Sequence, residues 1–129
     1  MFEVGQSWEN EWVINNELYQ KFLAISKDYN PIHTDSNFAK ASGFDDKIVH
    51  GNLLNCFISF FIGEMLPTKN LVIIRQQIKF VNAFYIDDVI QLSAFLSKYN
   101  PSVNFIQFEF QFMNKELKIA SGNIQVKLI

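Results

Sequence analysis

The sequence predicts an α+β domain in which an antiparallel β-sheet wraps around a long central helix at about residues 52–65. Three observations carry that expectation. Residues 52–65 are the most apolar helical stretch, with Leu53, Leu54, Phe57, Ile58, Phe60, Phe61, Ile62 and Met65 spread over nearly the full circumference, the pattern of a buried helix. Beyond Pro67 the period changes: residues 71–82, 88–99, 103–114 and 117–128 are rich in Val, Ile, Phe and Tyr, and several of them alternate. The chain has 129 residues, 49% of them hydrophobic and 19% charged, which suits one folded domain (1–129) with a sizeable core.

Taken in order, residues 4–14 hold Val4, Trp8, Trp12 and Ile14 among polar neighbours and read as an irregular opening strand. Asn15 and Asn16 offer caps for a helix carrying Leu18, Phe22 and Ile25 at helical spacing, with Glu17 in its first turn. That helix should stop near Lys27-Asp28, because Asn30-Pro31 follows and proline disfavours helix in the residue before it. Asp35 caps a second short helix, Ser36 to about Ser42, and Gly43 suits the position after its end. Residues 44–47 form a surface loop, and Ile48-Val49 returns to the core before the turn His50-Gly51. Asp87-Asp88, Asn100-Pro101 and Asn114-Lys115 punctuate the later strands. Four consecutive strands with short links predict an antiparallel meander, with the opening strand available as a fifth. An open sheet leaves edges that need cover, and edge-to-edge pairing in a dimer is one solution.

Composition excludes several functions. A formal charge of −2 without a basic run argues against a nucleic-acid partner. The single cysteine, Cys56, excludes an internal disulfide and a Cys-rich zinc site, and its place mid-helix suggests an inert thiol. The chain lacks a basic start followed by an apolar run, and lacks 18 uninterrupted apolar residues, so a cytoplasmic protein without a membrane span is expected. The 14 phenylalanines are explained by a Phe-rich core or by an apolar pocket for a fatty chain.

Chemistry concentrates in two turns. In Asp28-Tyr-Asn-Pro-Ile-His-Thr-Asp35 a carboxylate and an imidazole stand five residues apart, an arrangement able to hold and activate a water, with Asn30 as donor and acceptor beside it. The same residues also fit a purely local turn, with Asp28 and Asn30 bonding nearby backbone and His33 bonded to Asp35. The second turn, His50-Gly51, precedes the apolar helix, whose first amides have no internal acceptors and sit at the positive end of its dipole. Gly51 either admits a developing oxyanion to those amides or simply makes a tight entry. Ser59 is one of few polar groups on the helix, and a buried serine there commonly bonds back to a helix carbonyl. A metal is not expected, since no HxxxH-type spacing gathers His33, His50, Asp28 and Asp35.

The string DYNPIHTD, then Ala39 and Ala41 in the short helix, then Ile48-Val49-His50-Gly51, resembles the two-part signature of the MaoC-like (R)-specific enoyl-CoA hydratases. The likeness extends to Gly63–Pro67, Gln76, Phe80 and Asp87-Asp88. It implies a hot-dog fold in a homodimer, no cofactor, and reversible syn hydration of a trans-2-enoyl thioester of CoA or acyl carrier protein to the (3R)-hydroxyacyl product. It implies Asp28 and His33 as the catalytic pair, Asn30 and Ser59 as positioning residues, and the Gly51 amide as oxyanion donor. Departures fall outside the pair: Asn52 stands where the family often has Met, and Ala83-Phe84 and Asp87-Asp88 where many members have Pro-Val and Gly-Asp. Phe57, Phe60 and Phe61 are candidates for an acyl pocket that would favour short chains. The alternatives are a catalytically silent hot-dog subunit that binds acyl groups, against which the intact Asp28/Asn30/His33 set argues, and a hot-dog thioesterase. The only acid on the central helix for the latter is Glu64, at its far end.

Overall fold

The alternating stretches become one antiparallel sheet of five strands: β1 (Ser7–Val13), β2 (Leu71–Phe80), β3 (Val89–Asn100), β4 (Phe105–Asn114) and β5 (Leu117–Leu128). The computed structural model describes residues 1–129. Between β1 and β2 lie α1 (Asn16–Ser26), a single helical turn α2 (Pro31–Thr34), α3 (Ser36–Ala41) and α4 (Leu53–Phe60), which continues as a π-helical turn over Phe61–Met65. Alternation decides which face each strand buries. Ile90, Leu92, Ala94 and Leu96 of β3, Phe108, Phe110 and Phe112 of β4, and Ile124 and Val126 of β5 form one apolar surface. Against it pack Leu53, Leu54, Phe57, Ile58, Phe61 and Ile62. Aromatic rings lock the joint: Trp12 stacks on Phe57 at 4.2 Å, and Trp8 meets Phe61 and Phe108 edge-on.

The strand order is β1-β3-β4-β5-β2, so the four-strand meander is corrected to three. β2 pairs with β5 on the far side of the sheet, not with its sequence neighbour β3. The physical reason lies in segment 81–88, which is no hairpin turn. Its start is tied to β5 by the Val81 and Asn82 amides on the Ile119 carbonyl, and Phe84 then dives into the core. Gly122 makes the β2–β5 pairing close: a Cβ there would lie 1.9 Å from the Gln77 carbonyl oxygen.

The central helix is also less enclosed than its composition suggests. Asn52, Cys56, Ser59, Phe60, Gly63 and Glu64 form an outward stripe, and Phe60 is 42% exposed. One sheet covers one side of a helix only, so apolar residues around the whole circumference cannot all be buried within a protomer. Cys56 is accordingly exposed rather than sealed in apolar surroundings. No helix is long and apolar enough to cross a membrane.

Candidate active site

α1 delivers the chain to the site. Its cap Asn15 accepts from the Leu18 amide at 2.9 Å, and Lys27 ends it in the left-handed conformation, φ 54°. Asp28 then accepts the Asn30 amide through Oδ1 at 3.1 Å, and Asn30 accepts the Ile32 amide through its own Oδ1 at 3.1 Å. With Asn30 as cap and Pro31 first in the helix, α2 forms; proline that ends one helix here starts the next. His33 sits in the last turn of α2. Asp35 has turned away, accepting the Asn37 and Phe38 amides at the start of α3.

The two turns are joined by a short backbone pairing. The Ile48 amide donates to the Ile32 carbonyl at 3.1 Å, and His33 Nδ1 meets the Ile48 carbonyl at 2.8 Å. The Tyr19 hydroxyl donates to the His33 carbonyl. A carbonyl only accepts, so His33 Nδ1 carries the hydrogen and, in the neutral ring, Nε2 presents a lone pair. That lone pair lies 3.8 Å from Asp28 Oδ2, with the His33 side chain 13% and the Asp28 side chain 50% exposed.

His50 completes the group from beneath. Its ring is 4% exposed, stacks on His33 with centroids 3.7 Å apart and planes 22° apart, and brings Nε2 to 2.9 Å from the Asp28 carbonyl and 3.7 Å from Asp28 Oδ2. Nε2 therefore carries its hydrogen, and Nδ1 is buried without a partner. Burial, ahead of the neighbouring charges, holds the His50 pKa below its usual value. Burial also raises the Tyr19 pKa, with the Asp28 charge adding to it, so its hydroxyl stays a donor.

Gly51 follows. Neither the Gly51 nor the Asn52 amide meets an acceptor in the protein, while the Gly51 carbonyl takes the Leu54 amide at 3.0 Å. The Phe80 ring crowds the glycine, and a Cβ would stand 2.7 Å from it. Beside these amides runs a mostly apolar groove of about 290 Å³, lined by Phe44, Val49, Gly51, Asn52, Phe80 and Phe84 among others. A larger depression, about 530 Å³, lies on the outer face of the sheet around Ser93, Phe95, Glu109 and Gln111, and none of the site residues lines it.

The structure thus gathers Asp28 and His33 and sets Gly51 one residue beyond His50. Asn30 is in the same turn, its side-chain oxygen Oδ1 already used as a cap. Ser59 is not brought in: it lies on the outward stripe without a hydrogen bond, roughly 12 Å along the axis from Gly51 at the usual rise per residue. Phe57 and Phe61 are core residues, Phe60 lies edge-on to Trp12, and none of the three lines a cavity. Sequence reasoning placed His50 only in the His50-Gly51 turn, without its contacts to Asp28 and His33, and gave Tyr19 no place in the site. The rarity of histidine was a usable signal for the first; nothing in the pattern distinguished Tyr19 from an ordinary helix-face residue.

Asp28, His33 and His50 do present potential ligand atoms within 4.8 Å of one another, so sequence spacing was no guide to their proximity. Donor chemistry argues against a metal instead. His50 Nε2 gives its hydrogen to the Asp28 carbonyl, which leaves one imidazole lone pair and one carboxylate facing the space. Protein zinc sites use three or four ligands.

The family model described as "MaoC like domain" matches residues 3–110. The chain is 37% identical over 67 residues to the (R)-specific enoyl-CoA hydratase of Aeromonas caviae, covering 52% of this chain and spanning half the length of that protein. It is 29% identical over 104 residues to the (R)-specific enoyl-CoA hydratase of Rhodospirillum rubrum, covering 81% of this chain and 72% of that one. The solved structure of the A. caviae (R)-hydratase, described as involved in PHA biosynthesis, superposes with a TM-score of 0.90 at 26% identity, over 99% of this chain and 98% of that one.

Proposed function

The chain belongs to the MaoC-like domain family, and from that premise we propose that it hydrates trans-2-enoyl thioesters reversibly to (3R)-hydroxyacyl thioesters. One observation carries the reading: two proton acceptors, Asp28 Oδ2 and His33 Nε2, stand 3.8 Å apart next to a turn whose Gly51 amide is unpaired. A gap of that size is too long for a direct hydrogen bond and suits a water that donates one hydrogen to each acceptor. The oxygen lone pair is then left to attack C3 of the enoyl group.

As the C3–O bond forms, electrons move through C2 to the thioester carbonyl, and the Gly51 amide at the positive entry to α4 stabilises the oxygen. The pair takes one proton from the water and returns a proton to C2 from the same face, which completes a net syn addition without a cofactor. Asn30 supports the site by capping α2 and holding the turn. The groove beside Gly51 and Asn52 offers apolar cover for the substrate, delivered as a CoA or acyl-carrier-protein thioester. Ser59 and Phe60 face outward on the stripe of the helix, where a second copy would meet them.

The protein works as a homodimer on this reading, in the cytoplasm. Support comes from the edge strand β2, which exposes Val72, Ile73 and Ile74 with an unpaired backbone edge. The test is to mix purified protein with crotonyl-CoA and follow loss of the conjugated enoyl absorbance alongside free-thiol release. Loss without thiol, with a 3R product on chiral analysis, is expected. Thiol release would identify a thioesterase instead, and inertness toward several chain lengths on both carriers would leave a silent acyl-binding subunit.

A further inference from the structure

We propose that His50 is the positioning residue of the site, a neutral imidazole that holds Asp28 and His33 in register from their buried side. One ring touches both partners: Nε2–H bonds the Asp28 carbonyl at 2.9 Å, and the ring face stacks on His33 at 3.7 Å. Asp28 needs such a hold. Its side chain is half exposed, the chain has just left α1 through a left-handed residue, and its carboxylate is anchored locally only by the Asn30 amide. His33 needs a floor, because its one ring hydrogen bond, to Ile48, fixes a point and leaves the ring free to rock about it.

The position asks for a narrow set of properties. A flat ring is needed for the stack and an N–H at its tip for the carbonyl. A lysine or arginine there would place a permanent cation against Asp28 and tie up the oxygen that has to accept a proton. The Tyr19 and Phe22 rings, centroids 5.9 and 5.1 Å away, wall the imidazole in and favour its uncharged form. The unpartnered Nδ1 points the same way: a buried acceptor without a donor weakens the fold, so stability alone does not account for an imidazole here.

The activity arm of the test rests on the hydratase reading; a second arm does not. His50→Gln keeps a side-chain N–H near the position of Nε2, whereas His50→Leu keeps bulk and loses both ring and donor. With crotonyl-CoA, His50→Leu is expected to lose about a hundredfold in kcat with KM within about twofold, the scale of a small misplacement of reacting groups. His50→Gln should recover at least about tenfold of that loss. The second arm records two-bond nitrogen–proton NMR spectra of the imidazoles: one His33 tautomer, protonated at Nδ1, is expected in the parent and the Gln variant, and a mixture in the Leu variant. Circular dichroism checks folding, and His50→Phe replaces His50→Leu if the latter does not fold. Parental kcat in the Leu variant, or equal losses in Gln and Leu that track thermal stability, would overturn the proposal. If the parent hydrates no thioester, the hydratase reading fails, and the NMR arm decides: an unchanged His33 tautomer in the Leu variant then overturns the positioning role by itself.

Discussion

Asp28 divides its labour between its two carboxylate oxygens. Oδ1 satisfies the local turn, as a purely structural reading of the sequence expects, while Oδ2 faces two imidazoles. The structural and chemical readings of DYNPIHTD were therefore never exclusive. Asp28→Asn keeps the turn bond and removes the proposed base; His33→Ala empties the other side. Each is expected to lower kcat for crotonyl-CoA hydration by about a hundredfold or more, with far-UV circular dichroism unchanged. Gly51→Ala is expected to reduce both activity and thermal stability, because the new methyl group would have to displace the Phe80 ring from 2.7 Å and would narrow the approach to the Gly51 amide. Asp28 and His33 were legible because they share one turn. His50 was not, since its contact with Asp28 is set by the pairing of Ile48 with Ile32, which no local pattern encodes. The surroundings of Phe57 and Phe61 were not legible for a related reason: helical spacing shows that they share a face, not whether that face meets a cavity or the packed sheet.

At the level of elements, caps and turns were readable and strand partners were not. Asn15, Asp35 and Gly43 end or begin helices as their chemistry dictates, with Gly43 at φ 96°. Alternation located β2 through β5 but carried no information on which edge β2 joins, and adjacency in sequence gave the wrong partner. The β2–β5 pairing leaves its own mark at Gly122, where backbone meets backbone. Gly122→Ala should cost several kcal/mol, since the Gln77 carbonyl it would meet is backbone and cannot swing aside, and should lower the urea midpoint markedly. Asn15→Ala, which removes one exposed cap, should cost only about 1 kcal/mol in the same measurement.

For the whole molecule, His50 links stability to pH. The unfolded chain binds a proton on this residue near 6.5, and the folded chain only at lower pH, so the unfolded state holds more protons as the solution is acidified. Stability from this source is complete above that value and is lost as pH falls below it. Urea midpoints at pH 7.5 and 5.5 should therefore differ, and His50→Gln should narrow the difference. Assembly is tested on the free edge: Ile74→Glu, at a residue 54% exposed on β2, should shift the protein to monomers in light scattering while leaving the protomer folded.

The pairing of Ile48 with Ile32 has a consequence for how the chain could be rewritten. Every ionisable group in the site, and the Gly51 amide, comes from residues 19–51, while the strands after Leu71 supply no proton-handling side chain. The later half meets that segment through the shared core, where Tyr19, Leu23 and Val49 join the strand residues, and through the Phe84 carbonyl on the Val49 amide, the Tyr85 hydroxyl at the Asp45 amide and the Phe80 ring over Gly51. Proton handling is thus confined to one tract, whereas the groove is shared: Phe44, Val49 and Gly51 line it from that tract, Phe80 and Phe84 from the other, so on the proposed function changes at Phe80 and Phe84 alter the groove without removing a proton-handling side chain.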